Sequence, residues 1–296
     1  TDAGDVPPTG TIVLVGTVDV ILGPDDLHLA PPVVIAVNTF GNADLVVNGV
    51  TFQADGPAAG VGTVTNGNVT VTTSAANQIE NWAAAPAFVG ADPTSAANLG
   101  EIMRDIRWMG APDPVTIDIA GLAPGALYEI QLLFNEGADR DRHWDIGVEG
   151  ELVVDNITSE GHADPGGNVW TPNNSARYTG EFVAPPDGIL NIAMQQHIGG
   201  QAQMGADNNP ILQAVIVRLS DQRPFAIAEF IYDGVDAIIT WNSNPGVTYA
   251  LDFSTDLINW VEIDDGIASQ GDLTSFTDTP PPAGAARYYY RVRKLE

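Results

Sequence analysis

The sequence predicts an all-β protein made of two β-sandwiches, one large and one small. Three observations carry this. The apolar pattern repeats almost everywhere with period 2, as in Thr116-Ile117-Asp118-Ile119, and residues two apart on a strand share a face, whereas a helix needs a period of 3.6. The apolar runs are short, rich in β-branched residues and bounded by Gly, Pro, Asn or Asp. No segment sustains a helical period, and the best helical candidate is one or two turns around Leu99 to Trp108. Turn signals at regular intervals between short strands suit a sandwich or barrel rather than a βαβ sheet.

Residues 1–30 read as an N-terminal extension. Thr1 to Pro8 is loose, and a strand runs from Thr11 to Leu22. Its start, Ile12, Val13, Leu14 and Val15, is apolar on both faces, so it needs neighbours on every side. Two readings follow: an extra strand of the chain's own sandwich, or a strand that adds to a neighbouring subunit. Gly23-Pro24-Asp25-Asp26 and Pro31-Pro32 end the extension.

Residues 31–221 read as the large sandwich. Its strands include Tyr128 to Phe134, Asp145 to Val148, Glu151 to Val154, Ile189 to Met194 and Leu212 to Val217. A boundary falls near Ser220 to Pro224. In 225–296 six short strands follow: Ala226 to Ile231, Ala237 to Trp241, Thr248 to Ser254, Trp260 to Ile263, Thr274 to Asp278 and Arg287 to Arg293. That density suits a small immunoglobulin-like or fibronectin-like sandwich.

Composition narrows the function. The chain has 296 residues, Lys+Arg 11, Asp+Glu 38, no cysteine and a formal net charge of -27. Disulfide scaffolds, cysteine nucleophiles and iron–sulfur sites are excluded. One lysine and few arginines argue against nucleic acid and against an anionic membrane surface. No apolar run approaches the roughly 20 residues of a membrane-spanning helix. Such an acidic, cysteine-free β chain is expected outside the cell or on its surface, with calcium as a conceivable cofactor. The arginines gather between Arg104 and Arg177 and again at Arg287, Arg291, Arg293 and Lys294, where electrostatic contacts between subunits would form.

From Val33 to Leu219 the order of several phrases resembles the malectin-like family of carbohydrate-binding β-sandwiches. The phrases are Ile35-Ala36-Val37-Asn38 with Gly41, Val50-Thr51-Phe52-Gln53-Ala54-Asp55, Tyr128 to Glu136, Arg142-His143-Trp144-Asp145-Ile146-Gly147-Val148-Glu149-Gly150, Val154-Asp155-Asn156-Ile157, Asp187 to Ile192 and Pro210 to Val217. The last seventy residues resemble a short fibronectin-type-III-like appendage of secreted bacterial proteins, through Trp241, Pro245-Gly246, Tyr249, Ser254 to Leu257, Asn259-Trp260 and Tyr289 to Val292. The resemblance implies a jelly roll that binds a glycan or polysaccharide in loops at one edge. A pyranose ring stacks its apolar face on aromatic rings and offers its hydroxyls to planar polar groups.

The candidate ligand contacts are therefore Glu136, Asp139, Arg142 and His143 in the richest polar cluster, His197 and Asn208 near later strand ends, and Trp108 and Trp170 as stacking rings. Trp144 reads as a core aromatic. His162, His197, Asp164 and Asp207 lack the spacing of a metal motif, so no metal ligands are assigned; Asp207-Asn208-Asn209 offers oxygens to calcium without an EF-hand loop. Catalysis is not expected. There is no nucleophile elbow, P-loop or His-Glu-x-x-His, and adjacent acids such as Asp25-Asp26 make no glycosidase dyad. A Tyr178, His197 and Arg142 lyase constellation is the one alternative. The expectation is a non-enzymatic carbohydrate-binding or adhesion protein, with a self-assembling filament or surface-layer subunit as the rival.

Overall fold

The structure, a computed structural model, describes residues 13–56, 60–75, 77–82, 84–137, 142–159, 168–170, 175–198, 207–220, 226–243, 247–271, 273–278 and 287–295. The chain divides into two compact units, Thr1–Ser220 and Asp221–Glu296. The first begins with strands β1 (Val13–Ile21), β2 (Val33–Asn38), β3 (Leu45–Val47), β4 (Val50–Ala54), β5 (Gly60–Asn66), β6 (Val69–Ala75) and β7 (Asn77–Ile79). Helix α1 (Pro93–Ile102) is followed by β8 (Ile106–Trp108), β9 (Val115–Ala120), β10 (Leu127–Asn135), β11 (His143–Val148) and β12 (Glu151–Ser159). Then come β13 (Asn168–Trp170), β14 (Ser175–Val183), β15 (Ile189–Gln196), β16 (Ile211–Leu212) and β17 (Ala214–Leu219).

Two seven-stranded sheets face one another. Their orders are β1-β14-β10-β17-β2-β4-β3 and β13-β12-β11-β15-β9-β6-β5, and a third sheet, β16-β8-β7, sits beside them. The main core lies between the large sheets. Ile130, Leu132 and Phe134 of β10 point into it from one side, and Trp144, Ile146 and Val148 of β11 from the other. Trp144 is fully buried and meets Phe134 edge-on at 5.4 Å between centroids, so its core role stands.

The first sheet carries a second core on its other face. Leu133, Ala214 and Ile216 pack there under Ile21, Leu27, Leu29 and the helix residues Leu99 and Ile102. Both faces of β10 are therefore buried, including Glu129 and Gln131. Those two are satisfied by one another at 3.1 Å, by His28 Nδ1 at 3.0 Å from Glu129, and by Arg218 at 3.3 Å from Glu129.

Strand β1, the candidate assembly strand, pairs within its own chain. It runs antiparallel to β14, with Val18 opposite Tyr178 and Ile21 opposite Ser175. Ile12 lies outside the described residues, and Val13, Leu14 and Val15 are placed by backbone. The helix differs from expectation. It spans Pro93–Ile102 rather than Leu99 to Trp108, because Asp92 caps it by accepting the Thr94 and Ser95 N–H groups and Pro93 fills the first turn. The chain leaves the helix at Met103, and Ile106–Trp108 is a strand.

The second unit holds β18 (Ile227–Tyr232), β19 (Ala237–Asn242), β20 (Thr248–Ser254), β21 (Val261–Ala268), β22 (Leu273–Asp278) and β23 (Tyr289–Lys294). Two three-stranded sheets, β18-β19-β22 and β21-β20-β23, enclose Ile239, Trp241, Tyr249 and Leu251. Asp252 accepts from Arg291 at 2.7 Å and Arg293 at 2.8 Å.

Candidate functional site

Of the polar residues singled out in the sequence, Glu136, Arg142, His143 and His197 converge where β10 of the first large sheet meets the ends of β11 and β15 of the second. The C-terminal end of β10 delivers Glu136, the start of β11 delivers His143 just after Arg142, and His197 follows β15. Asn208 enters on the segment after an isolated bridge between Arg142 and Asp207. These positions sit at or just past strand ends.

Two layers result. The inner layer is a buried charge knot. Arg142, 2% exposed, donates from Nε to the buried Glu136 carboxylate, and from a terminal nitrogen to the Asn209 carbonyl at 2.8 Å and to Asp207 at 3.4 Å. Its guanidinium also lies 5.6 Å from the Trp82 ring centroid. His143 is fully buried, with Nδ1 2.8 Å from Asn156 Oδ1 and Nε2 3.5 Å from Thr158 Oγ1. Its backbone accepts from His197 N at 3.4 Å and donates to the Asp207 carbonyl at 3.2 Å. Glu136, Arg142 and His143 thus hold the site's frame; burial keeps them from touching a ligand.

The outer layer is a cleft of about 340 Å³ lined by Asp145, Asp155, Gln195, Gln196, His197, Pro112 and Ile198. A β-bulge shapes it. Trp144 pairs with Ile157 and Ile146 with Val154, so Asp145 faces both Asp155 and Asn156. Asn156 takes a left-handed backbone (φ 55°), a conformation that Asn tolerates. Asp145 Oδ1 accepts the Asn156 N–H at 2.9 Å and meets His197 Nδ1 at 2.8 Å, while Asp155 Oδ1 lies 3.4 Å from the same nitrogen.

No family model and no curated protein matches the sequence. Among solved structures, the chain is similar to the ANX1 ectodomain from Arabidopsis thaliana at 12% identity and a TM-score of 0.43, over 64% of this chain and 49% of that one. It is similar to the Bacteroides uniformis β-glucuronidase at 15% identity and a TM-score of 0.36, over 63% of this chain and 18% of that one. The N-terminal CBM22-1-CBM22-2 tandem domain from Paenibacillus barcinonensis Xyn10C gives 9% identity and a TM-score of 0.28, over 80% of each chain. Likeness at this level assigns neither a family nor an activity. The chain spans less than two thirds of the glucuronidase and of the ectodomain.

Of the remaining expected contacts, Trp108 and Asn208 are not among the residues that line the cleft. Trp108 pairs with Ile211 and Asn77 on the small sheet and packs partly buried against the main core. Asn208 is half-buried beside the charge knot. Asp139 and the side chain of Trp170 lie outside the described residues, as does His162. Two of the oxygens expected to suit calcium meet protein donors: Asp207 Oδ1 accepts from Asn209 N at 3.1 Å and faces Arg142, and Asn209 Oδ1 accepts from Ala111 N at 2.8 Å. The lyase constellation does not assemble. Tyr178 points into the main core, and burial pushes its phenol far above the ordinary value, away from any role as a base.

Sequence reasoning missed Asp155, Gln195 and Gln196 as site residues and left Asp145 out of the contact set. One signal for Asp155 was present. Val154 and Ile157 both face the core with two residues between them, a break in the period-2 pattern that marks a bulge and leaves Asp155 exposed beside the buried Asn156.

Proposed function

We propose that the chain is an extracellular, non-enzymatic carbohydrate-binding protein that holds a neutral glycan in the cleft of Asp145, Asp155, Gln195, Gln196 and His197. The observation that carries this reading is the cleft itself: planar carboxylates, amides and an imidazole beside the apolar Pro112 and Ile198. Planar polar groups accept from and donate to sugar hydroxyls, and a small apolar wall takes the ring's C–H face. The ordered phrases shared with malectin-like sandwiches support the same substrate class, and the core placement of Tyr178 supports a non-catalytic role. Pairing of β1 within its own chain favours a binding module over a filament subunit.

Calorimetric titration against a panel of neutral glycans tests the proposal. Binding is expected, and Gln195→Ala and Gln196→Ala should each weaken it by several-fold with unchanged folding. No binding to any glycan, or equal binding by both variants, overturns it.

A further inference from the structure

Asp145, Asp155 and His197 come from three different strands or strand ends, and their ligand atoms all lie within 4.8 Å of one another. We propose that these three residues form a binding site for a divalent transition-metal ion of the zinc class. Two carboxylate oxygens converge on one imidazole nitrogen, at 2.8 Å and 3.4 Å from His197 Nδ1. A neutral imidazole has a single N–H to offer and satisfies one of them. Ligand atoms bound to one ion at about 2.0–2.1 Å stand about 2.9 Å apart at a right angle and about 3.4 Å apart at the tetrahedral angle. Both spacings from His197 Nδ1 match ligands of a shared ion, and the two carboxylates lie close enough to close on it with a small side-chain adjustment.

The donor set also selects the class. Calcium and magnesium take shells of oxygens, whereas an imidazole nitrogen with two carboxylates suits zinc and its first-row neighbours. Supporting contacts hold the ligands in place before an ion arrives. Asp145 Oδ1 is fixed by the Asn156 N–H, Asn156 Oδ1 is fixed against His143, and the His143 carbonyl accepts the His197 N–H. Three protein ligands leave a coordination position for water or a ligand in the cleft. The site stands independently of the glycan reading.

The full chain, stripped with EDTA and dialysed, is titrated with Zn²⁺ by calorimetry and with Co²⁺ by absorption. One Zn²⁺ per chain is expected. His197→Ala and Asp155→Asn should each weaken it at least tenfold and abolish the Co²⁺ visible band, while His28→Ala leaves both unchanged. The chain has four histidines and no cysteine, so competing sites are few. Asp155 is 68% exposed, so its variant keeps the fold even where His197→Ala does not. Absence of saturable Zn²⁺ binding, binding by both variants equal to that of the parent, or tighter binding of Ca²⁺ than of Zn²⁺ overturns the proposal. Glycan titration of the metal-free chain is read separately, and its failure leaves this site standing.

Discussion

Replacing Asp55 by Asn removes the buried negative charge that joins three sheets. Asp55 follows β4, and its carboxylate receives Arg107 Nε from β8 at 2.9 Å, Thr73 Oγ1 from β6 at 3.2 Å and the Phe40 N–H. Arg107 and Asp55 are 0% and 1% exposed, so water cannot replace the lost partner. The Gly60 carbonyl, 3.0 Å from Arg107, would remain. Deleting one partner of a buried pair leaves an uncompensated charge and costs about 3–5 kcal/mol. An Asn gives little relief, because its one amide oxygen can serve either Arg107 or the Phe40 N–H, its NH2 group then sets donors against the other, and the guanidinium charge stays uncompensated. Urea unfolding of the first unit, followed by near-UV circular dichroism, should lose about 3–5 kcal/mol, or about 6–20 °C in Tm for a unit of this size. Adding Arg107→Met to Asp55→Asn should recover at least about 2 kcal/mol, because the stranded charge goes with it. A loss below about 1 kcal/mol for Asp55→Asn, or simple additivity in the pair, would refute the reasoning.

Three further outcomes follow from the same geometry. A Cβ on Gly62 would stand 2.1 Å from Asp55 Oδ2 and 2.4 Å from Arg107; Gly62→Ala should lower stability by about 1–3 kcal/mol, and an unchanged urea midpoint would contradict this. Burial acts to raise the Asp252 carboxyl, but hydrogen bonds from Arg293 and Arg291 outweigh it and hold the group below the ordinary carboxylate range. Its folded pKa is depressed, so its contribution is complete above about pH 4, the unfolded value, and is lost as pH falls through the folded one. Trp241 and Trp260 report the second unit's unfolding, and Asp252→Asn should flatten its acid limb; parallel acid limbs for parent and variant would show that Asp252 is not the group responsible. Finally, light scattering should give a positive second virial coefficient at low salt that falls as NaCl is added, since screening shortens from about 10 Å at 0.1 M to about 3 Å at 1 M. A coefficient that is negative at low salt and rises with added NaCl would mean that arginines of one molecule meet acids of another.

The strands were legible because period 2 is a local signal, and Thr116 to Ile119 or Ile189 to Met194 carry it without help from the rest of the chain. The second face of β10 was not legible. Glu129 and Gln131 look solvent-facing in Tyr128-Glu129-Ile130-Gln131-Leu132, yet residues 27–29 cover them from about a hundred positions away. The helix was misplaced because Leu99, Ile102, Met103 and Ile106 continue a helical spacing past the point where the chain turns; the Asp92-Pro93 start was the better guide. For the site, Arg142, His143 and His197 could be singled out as types worth watching, but their depth could not. Arg142 is buried by a partner 6 residues away, Glu136, and by a segment 65 residues away, Asp207. Asp145, Asp155 and His197 share no motif spacing at all, because a bulge and a strand end, not a sequence repeat, bring them together.

The few cations of this chain also decide what its cleft can bind. Arg104 pairs with Glu101, Arg107 with Asp55, Arg142 with Glu136, Arg177 with Asp19, Arg218 with Glu129, and Arg291 and Arg293 with Asp252. Among the described residues, most of the positive charge that the sequence seemed to hold ready for partners is thus engaged within the units, with the exposed Arg287 and Lys294 outside these pairs. What faces solvent is the acid excess behind the net charge of -27, and the cleft adds two carboxylates of its own. A uronate or sulfated glycan entering there would meet repulsion without a compensating arginine among the cleft-lining residues, which is why the proposed ligand is a neutral sugar. A cation meets the opposite field, since like-signed walls concentrate counter-ions. Once bound by Asp145, Asp155 and His197, a divalent ion would cancel the local charge of those carboxylates, and only in that state would the cleft admit an anionic sugar.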